Sequence, residues 1–332
     1  MSELNKHQQQ DKGFNAQKPV DKAVNFLFEH NTLFIFIILV IASSQVSDVF
    51  FSQRNIFNLL RQVVPIGIIS MGMLLVILTG GIDLSVGSIV ALASVLSAYF
   101  LLSTSLPLAI TLTILAGILL GSVSGYLVSV KRMAPFVATL ALMTIARGLA
   151  FMVSKGSPIL LAKSAKALKN FGSGYLLSVP DPVLLMFIIF IIILLILRYT
   201  VFGRLVFAIG SNETSVRLSG VRVPIYKFLV YSISGALAAV AGIVSTSRTA
   251  VGSPLVGIGF ELDAIAAVVI GGASLSGGKG TALNTLLGVF ILGMIGNIMN
   301  LRNVPAYPQQ VIKGLIIIFA VLLQGIQRHS TT

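Results

Sequence analysis

Cysteine and tryptophan are both absent from the 332 residues, and only 10% of the chain is charged. Without cysteine there is no disulfide framework, no iron–sulfur cluster and no thiol nucleophile. Without tryptophan, an aromatic belt at a membrane interface has to come from Tyr and Phe. Histidine is scarce as well. His7, His30 and His329 all lie in or beside the two tails, so no histidine-based site can form among the apolar segments. No Gly-rich loop ends in Lys-Ser or Lys-Thr, and Gly277-Gly278-Lys279-Gly280 is too short and lacks the hydroxyl that would reach magnesium. Acids and histidines nowhere stand at metal-ligand spacing. The chain is therefore not expected to be an enzyme, to bind a metal or cofactor, or to hydrolyse ATP itself.

What is present is apolar surface. Hydrophobic residues make up 56% of the chain, with a mean hydropathy of +0.98. A soluble domain carries about 25% charged and 45–50% apolar residues, so the fold class expected is an all-α, polytopic membrane helix bundle. The net charge of +13 is spread over short loops, which marks topology rather than a nucleic-acid partner.

Residues 1–30 are polar, with Lys6, Lys12, Lys18 and Lys22 and no apolar run. They read as a cytoplasmic tail and not as a cleavable signal. Ten apolar segments follow, at 33–49, 62–79, 84–102, 108–130, 134–154, 182–198, 225–247, 261–276, 281–300 and 309–326. Each approaches the roughly 20 residues a spanning helix needs. The expected organisation is a tail at 1–30, a transmembrane domain at 31–326 and a short cytoplasmic tail at 327–332. With the N-terminus inside, 13 basic residues face the cytoplasm and eight the opposite side, so both termini are placed in the cytoplasm. The longer external loop from Lys155 to Asp181 is a candidate partner surface.

Glycine is abundant, at 31 residues. Gly117, Gly121 and Gly125 recur on one helical face and permit close helix approach. Two Gly-rich breaks resemble each other: Thr79 to Ser88 laid over Ile270 to Lys279 agrees at five of ten positions. Broken helices at corresponding points of a repeat are common in transporters, and the sense of this repeat, parallel or inverted, stays open. The candidates at the breaks are Gly80, Gly81, Asp83 and Ser85, with Asn284 and Asn297 as further residues lining or shaping a path. Asp83 is the one acid between Asp48 and Asp181. It reads as the N-cap of a helix opening at Leu84, and equally as a functional carboxylate within apolar surroundings. Glu261 and Asp263 suit a helix N-terminus. Arg147, inside the fifth segment, needs a carboxylate, a carbonyl or a watery cavity.

Between the sixth and seventh segments lies a polar stretch, Gly203 to Gly220. Asn212-Glu213 after Gly210 is a helix start, and Gly220 a stop. A short amphipathic cytoplasmic helix results, suited to docking on a soluble motor or to lying on the headgroups. This stretch resembles the coupling region of permease subunits in the ribose, xylose and galactose group of ABC importers. So do Ile77–Ser88, Phe260–Ala267 with Gly271-Gly272 and Gly277–Gly280, and Tyr307-Pro308-Gln309-Gln310 with Lys313-Gly314. The resemblance covers about Asn55 to Leu323.

The resemblance implies a permease subunit in the bacterial inner membrane that moves a pentose or hexose. Its partners would be a cytoplasmic ATPase with two nucleotide-binding halves, which uses ATP and magnesium, and a periplasmic or lipid-anchored sugar-binding protein. A second permease copy completes the importer, as a homodimer or a heterodimer. Gly210, Asn212, Glu213, Arg217, Ser219 and Gly220 are the residues expected to couple to the ATPase. Another polar cargo, such as a furanosyl signalling molecule, a nucleoside or a polyol, is the alternative. An ion-coupled secondary transporter is a further alternative, but it would need more intramembrane acids.

Overall fold

A computed structural model describes residues 31–162 and 165–329, so the N-terminal tail and Lys163 fall outside it. Thirteen helices are described: α1 (Asn31–Val46), α2 (Gln53–Leu78), α3 (Val86–Phe100), α4 (Leu106–Ser129), α5 (Pro135–Ser154), α6 (Lys166–Ser173), α7 (Asp181–Tyr199), α8 (Val201–Ser211), α9 (Glu213–Leu218), α10 (Val223–Thr249), α11 (Phe260–Ile270), α12 (Ala282–Leu301) and α13 (Ala306–His329). Among the described residues, strand is confined to two short antiparallel ladders. β1 (Ile159–Leu160) pairs with β4 (Val251–Gly252), and β2 (Tyr175–Leu176) with β3 (Val179–Pro180). The protein is an all-α polytopic membrane bundle.

Every one of the ten apolar segments contains a helix, but not every helix is long enough to cross. Six of those described are long and apolar enough by length and composition: α2, α4, α5, α7, α10 and α12. The segment expected at 261–276 is helical only over the 11 residues of α11. That is about 16 Å of rise, half a bilayer core. The polar stretch expected to hold one short helix holds two, because Val201–Ser211 is itself helical. The last helix runs to His329.

Hydropathy alone does not say which apolar helix is central, because lipid and protein are equally apolar. Packing decides it: the apolar window of α2 is 78% buried, and those of α4 and α5 only 28%. Leu115 and Leu119 of α4 and Phe136 and Leu140 of α5 are exposed side chains of the kind that face lipid. Small residues bring α4 against α10. A β-carbon on Gly117 would stand 2.5 Å from the Gly235 carbonyl oxygen, and one on Gly121 3.0 Å from Gly235 Cα. Gly125 meets Phe228 in the same way. The glycine stripe is thus a packing seam within the subunit.

Candidate functional site

One end of the bundle gathers the sequence motifs. Thr200 opens α8, its hydroxyl accepting from Gly203 N at 3.1 Å. Asn212 breaks the helix with extended backbone and caps α9, its Oδ1 accepting from Ser215 N at 3.0 Å. Gly220, at φ +83°, ends the turn. Glu213 accepts from Arg217 and from Lys227 of α10, each at 2.5 Å. The Lys227 hydrogen bond, outweighing partial burial and aided by Arg217, holds the Glu213 carboxyl below the ordinary glutamate range. The short helix is thereby tied to the long α10. Ser219 donates only to its own turn, at Ser215 O.

Gly210 is where this segment meets both Gly-rich breaks. A β-carbon there would overlap the Leu78 carbonyl oxygen and stand 2.5 Å from Gly278 N. The breaks are also bonded to each other: Gly278 N donates to Leu78 O at 3.0 Å. Gly277 packs against both Gly210 and Gly80, since a β-carbon on it would lie 2.9 Å from Gly210 Cα and from Gly80 N. Gly80, Gly277 and Gly278 all have φ between +73° and +89°, a region an L side chain enters only at a cost. Three stretches far apart in sequence therefore share a junction that only glycine fits.

The first break holds a buried polar cluster. α3 begins at Val86, with Ser85 at the cap position and no side-chain cap bond, so Asp83 does not cap a helix opening at Leu84. Its carboxylate is fully buried and takes three donors instead: Ser85 N at 3.0 Å, Ser85 Oγ at 2.5 Å and Ser234 Oγ of α10 at 2.9 Å. Serines, short enough to reach a backbone bend, make up for the lost solvent. The Tyr231 hydroxyl, buried without a hydrogen-bond partner, presses on Gly81.

The second break is preceded by a segment that the apolar pattern does not reveal. From Gly252 to Gly257 the chain runs back along α3. A β-carbon on Gly252 would meet Ala98 and Ser94, and one on Gly257 would meet Val90 and Gly87. That is a descent of about 11 Å from the opposite end toward the junction. Non-helical backbone at such depth has to be satisfied by protein. Arg147 does this, donating to Pro254 O at 2.7 Å and Val256 O at 2.8 Å, and Ser94 Oγ accepts from Ser253 N at 3.2 Å. The partner that Arg147 required is thus a pair of carbonyls.

Glu261 and Asp263 do fall in the first turn of α11, whose cap position is Gly259 at φ +79°. Asp263 leaves the helix end, however, and pairs with Lys313 of α13 at 2.8 Å. Glu261 Oε2 is buried against Gly87 without a hydrogen-bond partner.

The two asparagines part company. Asn284 sits in the first turn of α12, its N–H capped by Thr281 Oγ1 at 3.1 Å. Asn297 exchanges amide hydrogen bonds with Asn55 of α2, at 3.1 and 2.9 Å, with both side chains buried. Asn297 thereby cross-links α12 to α2. Sequence reading missed Asn55, Tyr231 and Ser234; their one signal is a polar side chain within an apolar run. Among the described residues no group of three or more His, Asp or Glu gathers as a metal site would.

Comparison with known proteins adds the following. Residues 55–321 match the family described as branched-chain amino acid transport system / permease component. The chain is 47% identical to a ribose import permease protein of Bacillus subtilis, over 86% of this chain and 89% of the other. It is 42% identical to one of Haemophilus influenzae, over 90% and 93%. It is 31% identical to a xylose transport system permease protein of Escherichia coli, over 85% and 87%. No solved structure matches.

Proposed function

From the premise that the chain belongs to the branched-chain amino acid transport system / permease component family, we propose that it carries ribose, or a closely similar small sugar, inward. It is a multi-pass inner-membrane protein and a transport component, the permease of a sugar ABC importer in the ribose, xylose and arabinose group. The cargo is proposed from the two ribose permeases at 42% and 47% identity. A path with few charges suits a neutral polyhydroxy cargo, which needs hydroxyl and amide partners.

The observation that carries the mechanism is the junction at Gly210. We read α8 and α9 as the segment that a cytoplasmic ATPase grips, using Asn212, Glu213, Arg217 and Ser219 with the backbone from Gly210 to Gly220. ATP and magnesium are used in that partner, in its two nucleotide-binding halves. Movement of α9 reaches α10 through the Glu213–Lys227 pair and both Gly-rich breaks through Gly210. Gly80, Gly81, Asp83, Ser85, Glu261, Asp263 and Asn284 lie along the segments so moved. A displacement there reshapes the ends of α2 and α11, while a binding protein offers sugar at the opposite end. A ligand alone supplies no drive; the two states have to differ in affinity for the partners.

The finer topology belongs to the same proposal. The chain crosses ten times, with the short α11 completed by the descending segment at 252–257. Both termini are cytoplasmic, residues 1–30 and the stretch from 327 being tails. The two breaks form a parallel repeat, as their side-by-side bonding suggests. Two permease copies assemble, as a homodimer.

The test is uptake of labelled ribose, xylose and galactose in cells lacking their own importers, with the permease, its ATPase and its binding protein co-expressed. Ribose uptake that needs all three proteins is expected. Uptake by the permease alone, or loss on collapsing the proton gradient at constant ATP, would replace the proposal by an ion-coupled carrier. If all three sugars stay outside, the cargo is wrong.

A further inference from the structure

A cavity opens at the coupling end between the α4–α5 turn and the α9–α10 turn. Its charged lining is Arg132, Arg217, Arg222 and Lys227, with Glu213 as the one acid. Glu213 is already engaged by Arg217 and Lys227. Arg132 and Arg222 have no acidic partner at ion-pair distance among the described residues. Both side chains therefore stand at the cavity with uncompensated charge. Arg132 is held there by a left-handed backbone, φ +56°, which a non-glycine residue adopts at a cost of about 1–2 kcal/mol.

Apart from Ser129 the rest of the lining is apolar, including Val128, Met133, Pro135 and Ile225. Exposed apolar side chains follow on the two helices that begin at this lining: Phe136, Val137 and Leu140 on α5, and Ile225 and Leu229 on α10. In a spanning helix such a surface meets acyl chains. A basic pocket beside helices that expose apolar side chains suits an anionic phospholipid, phosphate above and hydrocarbon below. A soluble anion would leave the apolar wall wet. An acidic protein surface would have no use for the exposed apolar side chains.

We propose that this cavity binds the headgroup of an anionic phospholipid of the inner leaflet, with Arg132 and Arg222 on its phosphate and an acyl chain along Ile225, Leu229 and Phe136. The site abuts Glu213, so an occupied cavity braces α9 against the membrane surface. It rests on the membrane reading alone and not on the cargo.

The experiment uses the full-length permease, reconstituted with phosphatidylglycerol and phosphatidylcholine in equal amounts and extracted into mild detergent. Retained lipid is counted by native mass spectrometry. Preferential retention of phosphatidylglycerol is expected, falling about five-fold in Arg132→Gln or Arg222→Gln and about 25-fold in the double variant. The double Lys variant, which keeps the charge, should restore most of it, separating charge from folding. Arg198→Gln, at the end of α7 outside the cavity, should leave retention unchanged. Equal retention of both lipids, equal loss in Arg198→Gln, or displacement of phosphatidylglycerol by inorganic phosphate would each overturn the proposal. So would glutamine variants that lose ATPase binding while lipid preference is untouched.

Discussion

The junction of the two breaks makes Gly210→Ala the sharpest single perturbation. The added carbon would overlap the Leu78 carbonyl oxygen and lie 2.5 Å from Gly278 N, where ordinary contact begins at 3.4 Å. Both obstacles are backbone, so relief requires α8 to shift by about 1.5 Å or the Leu78–Gly278 bond to open. Overpacking of this kind costs about 1–3 kcal/mol. If the cost falls on the state in which the three segments are together, its population drops roughly 5- to 150-fold. The assay is ATP-driven uptake at matched permease level, alongside ATP hydrolysis by the partner. Uptake should fall by at least five-fold, while hydrolysis persists and loses its response to the loaded binding protein. Gly148→Ala is the control, because nothing lies within 4 Å of its β-carbon; it should transport normally. A Gly210→Ala permease that transports as well as Gly148→Ala would refute the idea that the junction is tight and mechanically linked.

Three further outcomes are expected. Asn55→Ala or Asn297→Ala should each destabilise the detergent-solubilised protein by about 1–3 kcal/mol, since one buried amide is left unpaired. The double Leu variant should recover much of that in a thermal unfolding series; additive losses would refute the pairing. Arg147→Gln should release the carbonyls of Pro254 and Val256. A cysteine introduced at Ser253, in a chain that otherwise has none, should then react several-fold faster with maleimide. For Glu213, a depressed carboxyl pKa means that the stabilising effect of its pairs is complete above the ordinary glutamate range and is lost as pH falls through and below it. Amide exchange over Glu213–Leu218, corrected for intrinsic rate, should be flat from pH 6 to 8 and accelerate in acid. Glu213→Gln should remove that acid dependence and lower uptake; an unchanged profile would refute it.

The local chemistry of α9 could be read before any fold was known. Asn212 ahead of Glu213 is a cap followed by an acid, and Gly220 a stop, because capping depends on neighbours within one turn. The same locality explains why the start of α3 was misplaced by two residues. Asp83 has the right side chain for a cap, and only its distant partner Ser234 shows that the carboxylate is spent elsewhere.

Hydropathy along the chain, by itself, determined that the protein crosses a membrane and is helical, because a backbone in hydrocarbon has no other open-ended way to satisfy its polar groups. It also located the two breaks and the polar stretch from Gly203 to Gly220, since glycine and polar residues interrupt apolar runs visibly. It did not determine which apolar helix lies at the centre, as leucine facing lipid and leucine facing protein look alike. The descent of Gly252–Gly257 along α3, the Asn55–Asn297 pair and the meeting of Leu78, Gly210 and Gly278 were decided only in three dimensions. Each is an encounter between groups about 70 to 240 positions apart in sequence, and it is backbone shape and close packing, not composition, that bring such groups together.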